Sequence, residues 1–184
     1  MSILSNRFSD AKHEAADYTK AVLGLLGVRE PIAVLEKTPA EVARRLEGLS
    51  RDDLGRPEAQ NKWSIAQVVL HLADSEIVWG YRLRRILAED RPAIHGYDQD
   101  LWAARLHYER ADAGIALAEL RALRAGHVRM LRGLGPLERQ RVGVHSERGE
   151  ESVEHLIRMY AGHDLLHLNQ LDRIRKTLRL EQPA

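Results

Sequence analysis

SVEHLIRMYAGHDLLHLNQLDRIRKTL, residues Ser152 to Leu178, is the stretch from which the rest of the chain can be read. Val153, Leu156, Tyr160, His163, His167, Leu171, Ile174 and Leu178 recur three or four apart, the spacing of one face of an amphipathic helix. His163 and His167 therefore fall on the buried stripe. Residues four apart on a helix are separated by ~6 Å of rise and ~40° of rotation, so both imidazoles can converge on one ion. Leucines would pack better there. Two imidazoles on a core face need partners for their nitrogens, and a metal ion is one such partner.

At 184 residues the chain reads as a single domain, 1–184, large enough to bury a core, and 44% hydrophobic with 30% charged residues is an ordinary globular composition. Lys plus Arg number 28 against 27 Asp plus Glu, with no basic cluster interleaved with aromatics, which argues against a nucleic-acid groove. No cysteine is present, so imidazole and carboxylate are the available metal donors and any thiol chemistry needs an external thiol. The N-terminus lacks the apolar run of a signal peptide and no stretch is long enough to span a bilayer, so no membrane role and a cytoplasmic location are expected.

Ahead of the histidine helix, Ala15, Tyr18, Val22 and Leu25 give a first amphipathic helix from Ser9 to Gly27, within an accessory N-terminal segment, 1–37. The bundle proper is expected over 38–178. Thr38-Pro39-Ala40-Glu41 has the pattern of a capping box with proline at the first helical position, opening a second helix whose inward residues are Val42, Leu46 and Leu49. Arg51 to Asn61 reads as a polar connection. Ser64 and Gln67 form a second capping box, with Trp63 stapled on Val68, and start a long helix to Ala88 with His71 at the edge of its apolar stripe. Residues 91–108, RPAIHGYDQDLWAARLHY, read as a long connection with a short helix nucleated by Asp98. Asp112 caps a further helix through Ala116, Leu120, Leu123, His127, Met130 and Leu134, ended by Gly135-Pro136. Leu137 to Glu151 shows no helical period and reads as a loop. Helices without convincing strands make an all-α four-helix bundle with a long crossover connection, plus an extra N-terminal helix.

A three-ligand metal site with a position open to water or substrate needs a third donor from another element, and His71 is the best placed. KWSIAQVVLHLADSE around His71, MYAGHDLLHLNQL around His163 and YDQDLW at 97–102 resemble, in compatible order, the motifs of the DinB/YfiT-like metalloenzyme family, with residues 1–37 contributing least. The resemblance implies an up-down-down-up bundle and a divalent ion, Ni2+ or Zn2+, held by three histidines that match His71, His163 and His167. It also implies one of two activities: metal-dependent hydrolysis, or transfer of a low-molecular-weight thiol.

Asp74 and Gln170 follow His71 and His167 by three residues and are placed to hold an imidazole's second nitrogen or a bound water. Asp98 and His145 are the candidate catalytic residues, the first reaching over the site from the connection and the second from the loop before the ligand helix. Asp164 lies beside His163, rotated ~100° from it, and should point beside the ion rather than at it. His127 reads as a satisfied core histidine. The expected partner is a small-molecule substrate, with a homodimer allowed. The alternative is a non-catalytic binding or dimerisation module in which the ion only staples two helices, and the two readings differ in whether the coordination sphere is open or closed.

Overall fold

The computed structural model describes residues 11–180. In chain order it comprises α1 (Ala11–Leu26), α2 (Pro31–Leu46), the short α3 (Arg51–Gly55), α4 (Ile65–Ala88), β1 (Ala93–Ile94), α5 (Gln99–Arg105), a 3-10 turn at Tyr108–Arg110, α6 (Ala113–Arg132), the one-turn α7 (Pro136–Arg139), β2 (Val142–His145), β3 (Gly149–Ser152) and α8 (Val153–Thr177). α2 and α4 each pack on both α6 and α8, so the four long helices form a ring in the order α2, α6, α4, α8. This is the expected four-helix bundle. α1 adds a further helix against α8.

The helix starts follow the chemistry of their caps. Ser64 and Gln67 exchange hydrogen bonds at 3.3 and 2.8 Å and open α4. Asp98 accepts from the amides of Asp100 and Leu101, Asp112 from those of Gly114 and Ile115, and Ser152 from that of His155. Gly27, at φ +57°, ends α1 as expected. The expected start of that helix at Ser9 lies outside the described residues. Its buried stripe uses Leu26 where Leu25 was expected.

Three readings are corrected. α2 begins at Pro31, capped by Glu30, and Thr38-Pro39 lies inside it, so the boundary drawn at residue 38 cuts a continuous helix. Arg51 to Gly55 is helical, opened by a Ser50–Asp53 capping box. Residues 137–151 are not a loop: β2 and β3 form an antiparallel hairpin, and β1 pairs parallel to β2, with Ile94 opposite His145. The hairpin turns through residues 146–148, and Gly149 opens β3 at φ +79°, in the left-handed region that glycine favours. Strands of four residues are too short for alternation to be read in the sequence. The small sheet ties the crossover connection to the hairpin.

The core divides into two apolar clusters, one around Val42, Leu72, Tyr108, Leu120 and Leu171, the other around Leu35, Trp79, Leu83, Leu131 and Leu156. Between them, at the middle level of all four helices, lies a polar layer. Thr38 comes from α2, His71, Ser75 and Glu76 from α4, Arg124 and His127 from α6, and Asp164 and His167 from α8, all buried. His163 in the same layer is partly buried.

Candidate metal centre

The polar layer holds two clusters. In the first, α4 and α8 bring His71, His163 and His167 together so that one nitrogen from each lies within 4.8 Å of the others. His163 Nε2 is 3.1 Å from His167 Nε2 and 3.3 Å from His71 Nε2. Tetrahedral coordination at 2.0–2.1 Å from zinc to nitrogen would put neighbouring nitrogens about 3.3 Å apart, so the spacing is that of a ligand set. His71 is buried against Trp63, with ring centroids 5.0 Å apart, rather than lying at the edge of its helix stripe.

His167 Nδ1 donates to Gln170 Oε1 at 2.8 Å, which places its proton on that nitrogen and leaves Nε2 a lone pair for the centre of the cluster. Gln170 thus takes the position the sequence suggested. Asp74 does not: its Oδ2 accepts from the Tyr108 hydroxyl at 2.5 Å, tying α4 to the crossover. The three imidazoles are held neutral. Burial lowers His71 well below the usual histidine range, with His167 adding to the effect. Burial likewise lowers His163, helped by His167, His71 and Arg124. His167 is lowered by burial to about 4, its bond to Gln170 acting against the shift. Neutral imidazole is the form that binds a metal ion, and the donor set fits a divalent cation such as zinc or nickel.

The second cluster is the one that the sequence reading missed. Arg124 Nε donates to Glu76 Oε2 at 2.9 Å, and Nη1 donates to Asp164 Oδ2 at 2.6 Å and to the Leu35 carbonyl at 2.7 Å. The Leu35 carbonyl is free because Pro39, four residues on, has no N–H to offer it. His127 Nδ1 lies 2.6 Å from Glu76 Oε1, so His127 is the satisfied core histidine expected. Burial opposes the charge on Arg124, and Asp164 and Glu76 more than restore it. Asp164 points at Arg124, away from its neighbour His163, as its place on the helix requires.

A cavity of about 150 Å³ reaches the three histidines. Its walls include Tyr18 of α1, Ser75, Trp79 and Arg82 of α4, Tyr97 of the crossover and Arg148 of the hairpin tip. α1 can close this wall because Gly162 lets it approach: a Cβ there would fall 2.1 Å from the Val22 carbonyl oxygen. Tyr160 stacks between Trp79 and His163, at 4.3 and 5.4 Å, with the Arg124 guanidinium 5.5 Å from its ring. Ser75 Oγ is 3.4 Å from His71 Nε2 and 3.0 Å from the Tyr97 hydroxyl.

Neither candidate catalytic residue is among those lining the cavity. Asp98 caps α5, while its neighbours Tyr97 and Gln99 line the wall. His145 is buried on β2 with its Nδ1 accepting from the Glu147 amide, and burial and Arg148 lower its pKa to about 4.

Residues 34–171 match the model of the DinB superfamily. The chain is 31% identical over 146 residues to the Bacillus subtilis protein named "Putative metal-dependent hydrolase YfiT", covering 77% of this chain and 82% of that one. A protein of the same functional name from Oceanobacillus iheyensis is 30% identical over 149 residues, covering 81% and 86%. The solved structure of Bacillus subtilis YfiT, described as a four-helix bundle of unusual topology, superposes with a TM-score of 0.76 at 26% identity, over 95% of this chain and 93% of that one. With the bundle, the crossover and the three-histidine cluster already in place, the chain is a member of the DinB/YfiT-like family.

Proposed function

We propose that this protein is a metal-dependent enzyme in which His71, His163 and His167 hold a zinc or nickel ion and the substrate pair is a small external thiol and an electrophile. The observation that carries the reading is the cavity that ends on the three histidines, because a site that only staples helices is closed by protein. A divalent ion with three imidazole ligands and an open position supplies Lewis acidity that deprotonates a bound thiol or water near neutral pH.

The side chains around the cluster favour the thiol. Hydrolysis needs a further acid–base group, to take the second proton of the water and give one to the leaving group, and carboxylates nearby are engaged elsewhere: Asp164 and Glu76 by Arg124, and Asp74 by Tyr108. A thiol that gives its one proton to solvent on coordination has no second proton to lose. The Ser75 and Tyr97 hydroxyls stand beside His71 and can orient a reacting group, while Trp79 and Tyr160 wall off water. A cytoplasmic location, where small thiols stay reduced, fits this reading. No helix among the described residues is long and apolar enough to cross a membrane.

Hydrolysis is the second reading. Its support is the name carried by the relatives, together with Glu147, a carboxylate on the cavity wall. Turnover of a small electrophile by zinc-loaded and nickel-loaded protein, with and without added low-molecular-weight thiol, separates the two. Thiol-dependent turnover is expected. Equal metal-dependent cleavage of esters or amides without thiol would transfer the assignment to hydrolysis.

A further inference from the structure

The cavity has a charged end that the metal chemistry does not use. Arg82 follows His71 by eleven residues on α4, close to three turns, so both side chains leave the same face of the helix about 16 Å apart along its axis. Long side chains on a helix lean toward its N-terminus, which carries the guanidinium back toward the histidines. Arg82 Nη2 donates to the His95 carbonyl, and the guanidinium stands 6.0 Å from the Tyr97 ring. Among the described residues no carboxylate forms an ion pair with it, and most of its five donors have no protein acceptor.

A second cation shares the wall. Arg148 reaches the cavity from the hairpin tip but is already paired with Glu151, at 2.5 and 2.9 Å. Glu147 also lines the cavity and makes no ion pair with either arginine. Burial and the neighbouring Arg148 both work against the charge on Arg82. An unpaired guanidinium in a partly desolvated cavity is the recognition element for an oxyanion, which its planar fork can meet with two parallel hydrogen bonds.

We infer that Arg82 is a specificity-determining residue: the cavity takes a small molecule whose reacting end faces the three histidines and whose other end carries a carboxylate held by Arg82. The inference rests on the proposed function in locating the reacting end, while the carboxylate end rests on Arg82 alone. Glu147 sets the limit of this arrangement, since its charge opposes a second anion at the mouth.

The test uses a matched pair of thiols, 3-mercaptopropionate and its amide. Titrated calorimetrically into metal-free protein, the acid is expected to bind at least about tenfold more tightly than the amide, the contribution of a charge-assisted hydrogen bond. Arg82→Gln should erase that preference and Glu147→Gln should keep or enlarge it. Equal affinity for acid and amide in the wild type, or an unchanged preference in Arg82→Gln, would overturn the assignment. If Arg82→Gln does not fold, the wild-type ratio at low and high salt decides, since a guanidinium–carboxylate contact weakens with salt and a fit by shape does not. In cobalt-loaded protein the thiolate-to-metal absorption band reports thiol coordination separately. Its absence with both probes would count against thiol activation and leave the acid-to-amide ratio to report on Arg82.

Discussion

His163 and Asp164 are neighbours on α8, yet they serve two buried polar clusters of opposite character, and the Tyr160 ring stands between them. On the Asp164 side, Arg124 of α6 meets two carboxylates and a backbone carbonyl, one from each of the three other bundle helices, so the charges and donors there are answered by protein. On the His163 side, three neutral imidazoles turn their Nε2 atoms on one another, and among the described residues their only oxygen partners are Gln170 and Ser75. His163 Nε2, at 3.1–3.3 Å from its two neighbours, can hydrogen-bond to only part of the cluster, and the Nδ1 atoms of His71 and His163 find no partner among the described residues. A cluster whose polarity is internally complementary holds the bundle together. One that protein groups leave incomplete is arranged for something that comes from outside.

Breaking the complementary cluster should have the largest effect. Arg124→Leu leaves Glu76 and Asp164 buried without their counter-ion and should lower the stability of metal-free protein by about 3–5 kcal/mol in urea unfolding. Adding Glu76→Gln and Asp164→Asn to that variant should recover part of the loss, because the orphaned charges are then removed. No recovery would mean that Arg124 acts through packing alone.

The histidine cluster should respond instead to metal. Zinc at a hundred to a thousand times its dissociation constant should stabilise the wild type by about 3–4 kcal/mol. His71→Ala and His167→Ala should show no such gain while keeping their helical circular dichroism. A full metal response in either variant would break the distinction between the clusters.

Acid sharpens the contrast. The folded-state pKa of His167, about 4, lies below the unfolded value near 6.5, so the unfolded chain binds the extra proton in that window and stability falls as pH drops through it. The loss from His167 is on the order of 3 kcal/mol by pH 4, with His71 and His163 acting in the same direction. Protons should correspondingly compete for the ligands only below about pH 5. A steep loss of zinc affinity between pH 7 and 5 would show that the rings are solvated in the metal-free protein.

The smallest of these effects concerns orientation. Gln170→Leu removes the acceptor of His167 Nδ1 and should weaken metal binding by about 10–100-fold without unfolding the protein, as read by competition with a chelating dye.

The histidine cluster was legible because two histidines four apart on an apolar stripe are conspicuous, and the family resemblance joined His71, read at the edge of another stripe, to them. The Arg124 cluster was not, because buried ions are rare and a charged residue is read by default as solvated. On α6 the inward positions run through Leu120, Arg124, His127 and Leu131, and Leu123, the residue that looked apolar, is only partly buried. Pro39 misled in a related way. A proline inside a helix is tolerated where another group takes the freed carbonyl, and Arg124, far away in sequence, is that group. The hairpin escaped because its strands are stabilised by pairing with β1 across some fifty residues, a contact that local pattern does not carry.

The sheet of β1, β2 and β3 carries a consequence for how such a protein can diversify. The three clustered histidines stand on α4 and α8, whereas Tyr97, Glu147 and Arg148 reach the cavity from the crossover and the hairpin tip. Changes of sequence or length in those two segments can alter what the cavity admits while the bundle and its histidines keep their packing. The sheet ties the two segments into one rim, so a new preference can arise from a turn of three residues rather than from a rebuilt core.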